Sequence, residues 1–208
     1  MKFTKIPEST FKQIQLNAGI LLNKFNPEDG TMNMEDLVGA TSGGVNFTAT
    51  PTFSDYGEDI DNCPKNMKEL KQLESWEIKM SGSFVTVDSK AAAMLVGAAD
   101  EADGKITPRN DVLDNDFKDL WWVGDYSSDN SESTGGFVAV RMMNTLSTGG
   151  FQIQSTDKGK GQFAFEFTAH YSMDAQTTVP FEVYVKAGTA EAAKITTKEP
   201  LKVATSSK

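Results

Sequence analysis

A chain of 208 residues with a hydrophobic fraction of 38% and a mean hydropathy of −0.38 has room for one β-rich domain with a real core, since roughly 70% of the unfolded surface is buried at this size. Its 29 acidic and 20 basic residues leave a net charge of −9, which excludes a surface built to grip phosphates but allows one that nucleic acid slides past; plain solubility accounts for it as well. No apolar run approaches the roughly 18 residues of a membrane helix, residues 1–15 hold no stretch of signal-peptide type, and the lone Cys63 cannot form an internal disulfide, so folding in a cytoplasm is expected.

Residues 1–16 read as a poorly patterned arm. Asn17 to Phe25 is the first expected strand, ended by the turn signals Asn26-Pro27 and Asp29-Gly30, with a polar connection over 26–43. Val45, Phe47 and Ala49 alternate with Asn46, Thr48 and Thr50, so a second strand runs to about Phe53, and Pro51 places it at a sheet edge or a bend. An acidic loop follows from Ser54 to Asn62. Residues 66–75 fit either a short helix or the start of a strand. Trp76, Ile78 and Met80 then alternate with Glu77, Lys79 and Ser81, and the extended pattern continues past Gly82, which marks a bulge or a register change.

The one clear helix spans about 88–97. Asp88 or Ser89 caps Ala91 to Val96, and Gly97 stops it. Apolar residues nearly encircle it, so it packs on a sheet or in a subunit interface. Residues 99–116 are a second acidic loop. Strands are expected at Leu120–Val123, Phe137–Met143, Phe151–Gln154 and Val179–Val185, with an exposed hairpin loop at 124–136.

The strongest strand follows Gly159-Lys160-Gly161. Phe163, Phe165, Phe167, Ala169 and Tyr171 take every second position, and Gln162, Ala164, Glu166, Thr168 and His170 fill the gaps. Alternate side chains of a strand point to opposite faces, so this strand has one aromatic face, which must be covered, and one mostly polar face toward water, a neighbouring subunit or a channel. From Ala187 the chain is rich in Ala, Thr and Lys and reads as a flexible tail. The sum is about eight strands and one helix, without an internal repeat.

Chemistry-bearing motifs are scarce. His170 is the only histidine, so it lacks the partners of a metal site, and a structural or interface role is the better reading. Asp55, Glu58, Asp59 and Asp61, and again Asp111, Asp114 and Asp116, could offer oxygens to Ca²⁺, but neither run has the EF-hand order of ligands. Lys158-Gly159-Lys160-Gly161 lacks the glycine spacing of a phosphate loop and reads as a hairpin turn. Asn46-Phe47-Thr48 fits a glycosylation sequon, which matters only in a secreted protein. No nucleophile–base arrangement stands out, so neither an enzyme nor a cofactor is expected.

Five segments, in this order, resemble the major tail protein of long-tailed, non-contractile bacteriophages, which builds the tail tube. They are Gly44 to Phe53 with its acidic loop, Ser75 to Phe84 followed by the Ala-rich helix, Asp119 to Tyr126, the Gly-Lys-Gly aromatic strand, and Pro180 to Val185. The resemblance covers most of residues 17–186 and extends to the tube protein of type VI secretion. It implies a β-sandwich or barrel-like domain with one flanking helix over residues 17–186, between an arm (1–16) and a tail (187–208). It further implies a homohexameric ring whose inner sheets form a continuous lumen, and stacked rings that conduct the genome without binding it specifically. The implied partners are the tape-measure, tail-terminator and distal tail proteins, and the implied location is the virion tail, after assembly in the host cytoplasm and without a membrane. The loop over 54–69 stands where the family contacts the adjacent ring, which nominates Tyr56, Glu58, Asp59 and Ile60. Strand parity nominates Glu166 and Glu182 as lumen-facing. A reading from another class is a monomeric β-sandwich that binds carbohydrate or a surface through Trp121, Trp122 or Tyr126; adjacent tryptophans point to opposite faces, so at most one serves as a platform.

Overall fold

The computed structural model describes Thr10 and residues 14–127 and 136–186. The expected 1–16 arm lies mostly outside them, as do the tip of the 124–136 loop and the whole tail. Within these residues the chain is mainly β, with a large antiparallel sheet and a single α-helix, in a β-sandwich-like fold. No described helix is long and apolar enough to cross a membrane.

Eleven strands are present: β1 (Ile14–Leu22), β2 (Leu37–Gly39), β3 (Thr41–Asp55), β4 (Lys71–Phe84), β5 (Ala99–Ala102), β6 (Lys105–Pro108), β7 (Lys118–Ser127), β8 (Gly136–Ser147), β9 (Gln152–Gln154), β10 (Gln162–Ala169) and β11 (Phe181–Lys186). Nine of them form one sheet in the order β2-β1-β7-β8-β10-β4-β3, with β11 added to β8 and β9 to β10; β5 and β6 pair separately.

β8 belongs to both halves of this sheet. Phe137–Met142 pairs with β11, whereas Thr145–Ser147 pairs with β10. Between them Asn144 takes a φ of 50°, and the register with β7 shifts there, so one strand bends from one layer into the other. The sheet folds over a core drawn from both halves. Leu21, Leu120, Val140 and Met142 meet Ile78, Met80, Phe84, Phe165 and Phe167. At one end the Ala40 carbonyl accepts from the Val85 N–H at 2.8 Å, and the Ala40 N–H donates to the Thr86 hydroxyl at 2.9 Å, which ties the two layers together.

α1 (Ser89–Val96) matches its sequence signals. The Asp88 carboxylate accepts from the Ala91 N–H at 2.7 Å, and Gly97 closes the helix at φ 88°. Ala91 and Leu95 enter the core, and the Ser147 hydroxyl donates to the Leu95 carbonyl at 2.7 Å.

The structure corrects the sequence reading in several places. Eleven strands replace about eight, because short pieces without alternation escape a periodicity search. The connection over 26–43 contains β2, whose Leu37 and Gly39 pair with Leu22 and Leu21 of β1. The acidic stretch 99–116 contains the β5–β6 hairpin, turned at Asp103-Gly104 with both residues at positive φ. The first strand runs from Ile14, inside the stretch assigned to the arm, and ends at Leu22 rather than Phe25. It is interrupted where Asn17 and Gly19 take φ values of 64° and 70° and the register with β7 shifts. The register change expected at Gly82 is present, without a bulge in β4 itself. β4 passes through it unbroken, and the irregularity lies opposite, between Thr41 and Val45 of β3. A Cβ on Gly82 would fall 2.7 Å from Cζ of Phe165, so this glycine makes room for that ring.

The core face of β10 and the open face of β3 predict opposite mutational responses. Phe167→Ala, which empties a fully covered site, should cost about 3–5 kcal/mol in chemical denaturation, whereas Thr48→Ala on the exposed face of β3 should change stability by no more than about 0.5 kcal/mol.

Candidate functional site

β9, β10, β4 and β3 form a four-stranded wall with unlike faces. Phe165, Phe167, Ile78, Met80, Val45 and Phe47 pack on the core side. The other side carries Asn46, Thr48, Thr50 and Thr52 from β3, all exposed, beside Ser81 and Ser83 from β4 and Gln152 and Gln154 from β9. Glu166 stands in the middle of this polar side, opposite Ser81, and its carboxylate accepts from the Thr148 hydroxyl at 3.2 Å. Lys79 is ion-paired with Glu77, which raises its pKa; Glu166 adds to the effect.

β3 is the last strand on its side of the sheet, as Pro51 led one to expect. With 15 residues it spans about 50 Å. Beyond Pro51 it runs past the core together with the start of β4, and the apolar side chains there and on the loop are exposed, with Lys71 Nζ lying 5.3 Å from the centre of the Phe53 ring. Phe53 is 50% exposed, Leu73 42%, Tyr56 63% and Ile60 53%. Four large apolar side chains thus stand exposed along this hairpin and its loop.

The connecting loop, 56–70, is held by its own backbone. The Asp55 carboxylate accepts from the Gly57 N–H at 2.9 Å and the Asn66 N–H at 2.8 Å, and the Tyr56 N–H donates to the Leu70 carbonyl at 3.0 Å. The stretch 66–75, left open between helix and strand, is a single 3₁₀ turn (Lys68–Leu70) leading into β4. Tyr56, Glu58, Asp59 and Ile60 are all exposed on this loop, so the structure brings the four nominated residues together.

A second concave feature lies on the far face of the other layer. The segment after β1, the start of β7, β8 and β11 enclose an open cleft of about 570 Å³. Its floor is Trp121, which stacks on Tyr184 at 5.7 Å, meets Phe25 at 5.6 Å, and lies under the Arg141 guanidinium at 5.4 Å. Arg141 donates to Asp119 from Nε at 3.0 Å and from Nη2 at 2.6 Å, and to Glu182 from Nη1 at 3.3 Å. Burial works against its charge, but the two carboxylates outweigh that and hold its pKa above the ordinary value. The Tyr184 hydroxyl donates to Glu182 at 2.6 Å, which with desolvation raises the Tyr184 pKa. Glu182 is therefore placed on β11, outside the four-stranded wall and away from Glu166. Lys24 and Lys118 stand exposed at the rim and make no ion pair among the described residues.

The other nominated groups have local partners. His170 packs edge-on against Phe117 at 5.4 Å, with Nδ1 3.2 Å from the Asn144 carbonyl. Arg109 ties the second acidic run together, bridging Asp100 at 3.0 Å and Asp116 at 2.6 Å. Among the described residues no three acidic, histidine or cysteine side chains converge to hold a metal ion. Trp121 is 6% exposed under Phe25 and Tyr184, and Trp122 lies on the opposite face with its indole N–H donating to the Ala18 carbonyl at 2.9 Å. Sequence reasoning missed the Arg141 cluster because only the pairing of β8 with β7 and β11 unites residues so far apart in the chain; the one local sign is Glu182 and Tyr184 at i and i+2 on one face. The chain matches no protein-family model and has no significant similarity to any curated protein sequence.

The loop should be sensitive to acid. Its two backbone donors lower the Asp55 pKa below the ordinary 3.8, so the stabilisation is present above that value and lost as pH falls below it. Protection of the amides at residues 57–66, relative to their intrinsic exchange rates, should fall as pH drops below about 3.8. Asp55→Ala should produce the same loss of protection at neutral pH while the β10 amides stay protected; unchanged exchange in the variant would count against this role.

Proposed function

We propose that the chain is a tail-tube subunit, a structural virion protein that assembles into stacked homohexameric rings through which a phage genome passes. The observation that carries the reading is the four-stranded wall, apolar toward its own core and rich in hydroxyls and amides on the open side. Such a wall needs no further layer on its polar side, which suits a channel lining.

Strand direction supports ring closure. β9, β10, β4 and β3 alternate in direction, so β3 runs opposite to β9. Copies related by rotation about a channel axis keep their strand directions. The β3 edge of one copy would therefore meet the β9 side of the next in antiparallel sense, and any whole number of copies closes without a mismatch. Pairing of this kind would also satisfy the free backbone groups of a long edge strand. In the ring Glu166 faces the lumen, whereas Glu182, tied to Arg141 in the other layer, does not. The projecting loop with Tyr56, Glu58, Asp59 and Ile60 reaches the adjacent ring. The tape-measure, tail-terminator and distal tail proteins are the further partners, and the virion tail is the location. The reading requires neither enzyme activity nor a cofactor.

Negative-stain electron microscopy of the concentrated protein should show rings or tubes with an open lumen. Deleting residues 55–61 should abolish tube growth while leaving the circular dichroism spectrum and the unfolding midpoint of the monomer nearly unchanged. Tubes of normal length from the deletion variant would refute the role of the loop, and a strictly monomeric wild-type particle at every concentration would refute the tube.

A further inference from the structure

We infer that the Trp121 cleft receives the acidic tip of the 56–70 loop from a second copy of the chain. The inference rests on the tube proposal for the reason that copies meet, and it adds the surface on which the loop lands. The two surfaces are complementary in both charge and polarity. The loop tip offers Glu58, Asp59 and Asp61 without an ion-pair partner among the described residues, next to the exposed side chains of Tyr56 and Ile60. The cleft offers Lys24 and Lys118 at its rim, above an aromatic floor of Phe25, Trp121 and Tyr184. Its third cation, Arg141, is outweighed by Asp119 and Glu182, so the rim lysines are the positive charges that an incoming carboxylate would meet and leave the cleft with one net positive charge.

A volume of about 570 Å³ lies within the range of clefts that hold a small ligand, which is room for one large side chain and its neighbours. The competing acidic segment is 111–116, with exposed Val112 and Leu113. Its Asp111 and Asp116 already face Arg109, and it does not stand on a projecting hairpin. Loop and cleft are different surfaces of one chain, so their contact is heterologous. Repeated head to tail from copy to copy it yields a ring or an open filament, whereas a reciprocal exchange between two copies would close as a two-fold dimer.

The test is a charge swap in the full-length protein, read as the lowest concentration at which assemblies sediment and appear in the electron microscope. Lys24→Glu with Lys118→Glu should raise that concentration about tenfold, and Glu58→Lys with Asp59→Lys should do the same; all four together should return it to within about threefold of wild type. The four positions are exposed, so unfolding midpoints should stay at the wild-type value and separate lost contact from lost fold. A lysine variant that assembles at the wild-type concentration overturns the cleft contact and leaves the tube proposal standing. Failure of the four-position variant to recover, or recovery with Asp114→Lys in place of the loop changes, overturns the assignment of the loop as occupant. A wild-type chain that assembles at no concentration overturns the tube proposal and this inference with it.

Discussion

Phe165 and Phe167 have to leave water while Glu166 and Thr168, between and beyond them, remain half in it, and one extended strand achieves both only because its side chains alternate. The neighbours of β10 are arranged around this division. β4 lies along one side in continuous register, and β9 and the end of β8 share the other. Phe84 stacks on Phe165 with centroids 4.4 Å apart, and Gly82 lacks the side chain that would strike the same ring. A one-residue slip would turn the phenylalanines outward and the glutamate inward, so burial of the aromatic face also sets the register of the polar one. The wall proposed to line a channel is thus specified from behind, by the core.

The second layer solves a different problem. β1, β7, β8 and β11 bury Leu21, Leu120 and Met142 toward the core, but their far face is apolar too, with Leu22, Trp121 and Ala139. Phe25 and Met32, from the connection after β1, fold over that face and make a small second core. Where this cover ends, Arg141 and its carboxylates take over, and the cleft opens. A charge cluster at the boundary of an apolar patch keeps the floor from being fully wetted while leaving the rim polar.

Legibility in the sequence followed the range of the interaction. The helix, its Asp88 cap, the alternation in β3, β4 and β10 and the edge position of Pro51 depend on residues close in the chain, and the structure agrees with each. β2, β5 and β6 are three or four residues long and gain their stability from pairing, which leaves no periodic trace. Gly82 signalled an irregularity that lies on the partner strand, because a glycine needed for a neighbour's ring looks the same in sequence as one needed for a turn. The acidic run near Asp111 looked like a set of free oxygens until Arg109 was placed among them. Tyr56 to Ile60 are contiguous in the chain and lie together on one exposed loop. The Arg141 cleft was not visible in the sequence, since Trp121, Arg141 and Tyr184 meet only through strand order.

The distribution of charge changes how a −9 chain would treat a passing genome. A hexamer carries roughly −54 formal charges, but repulsion fades over a Debye length of about 8 Å, so only charges on the lining matter. On the open side of the wall Glu77 and Glu166 are opposed by Lys79, and the rest of that surface is Ser, Thr, Asn and Gln with Ala164. Much of the chain's acid instead lies on the loop after β3 and on the segment around Arg109. In the proposed ring the lumen would then be nearly neutral and hydroxylated. Phosphates would find neither cations to bind nor a strong field to repel them, and neutral hydroxyls exchange hydrogen bonds with water at little net gain. Low adhesion would follow from the absence of grip, while the acidic loops remain free to choose a basic partner surface.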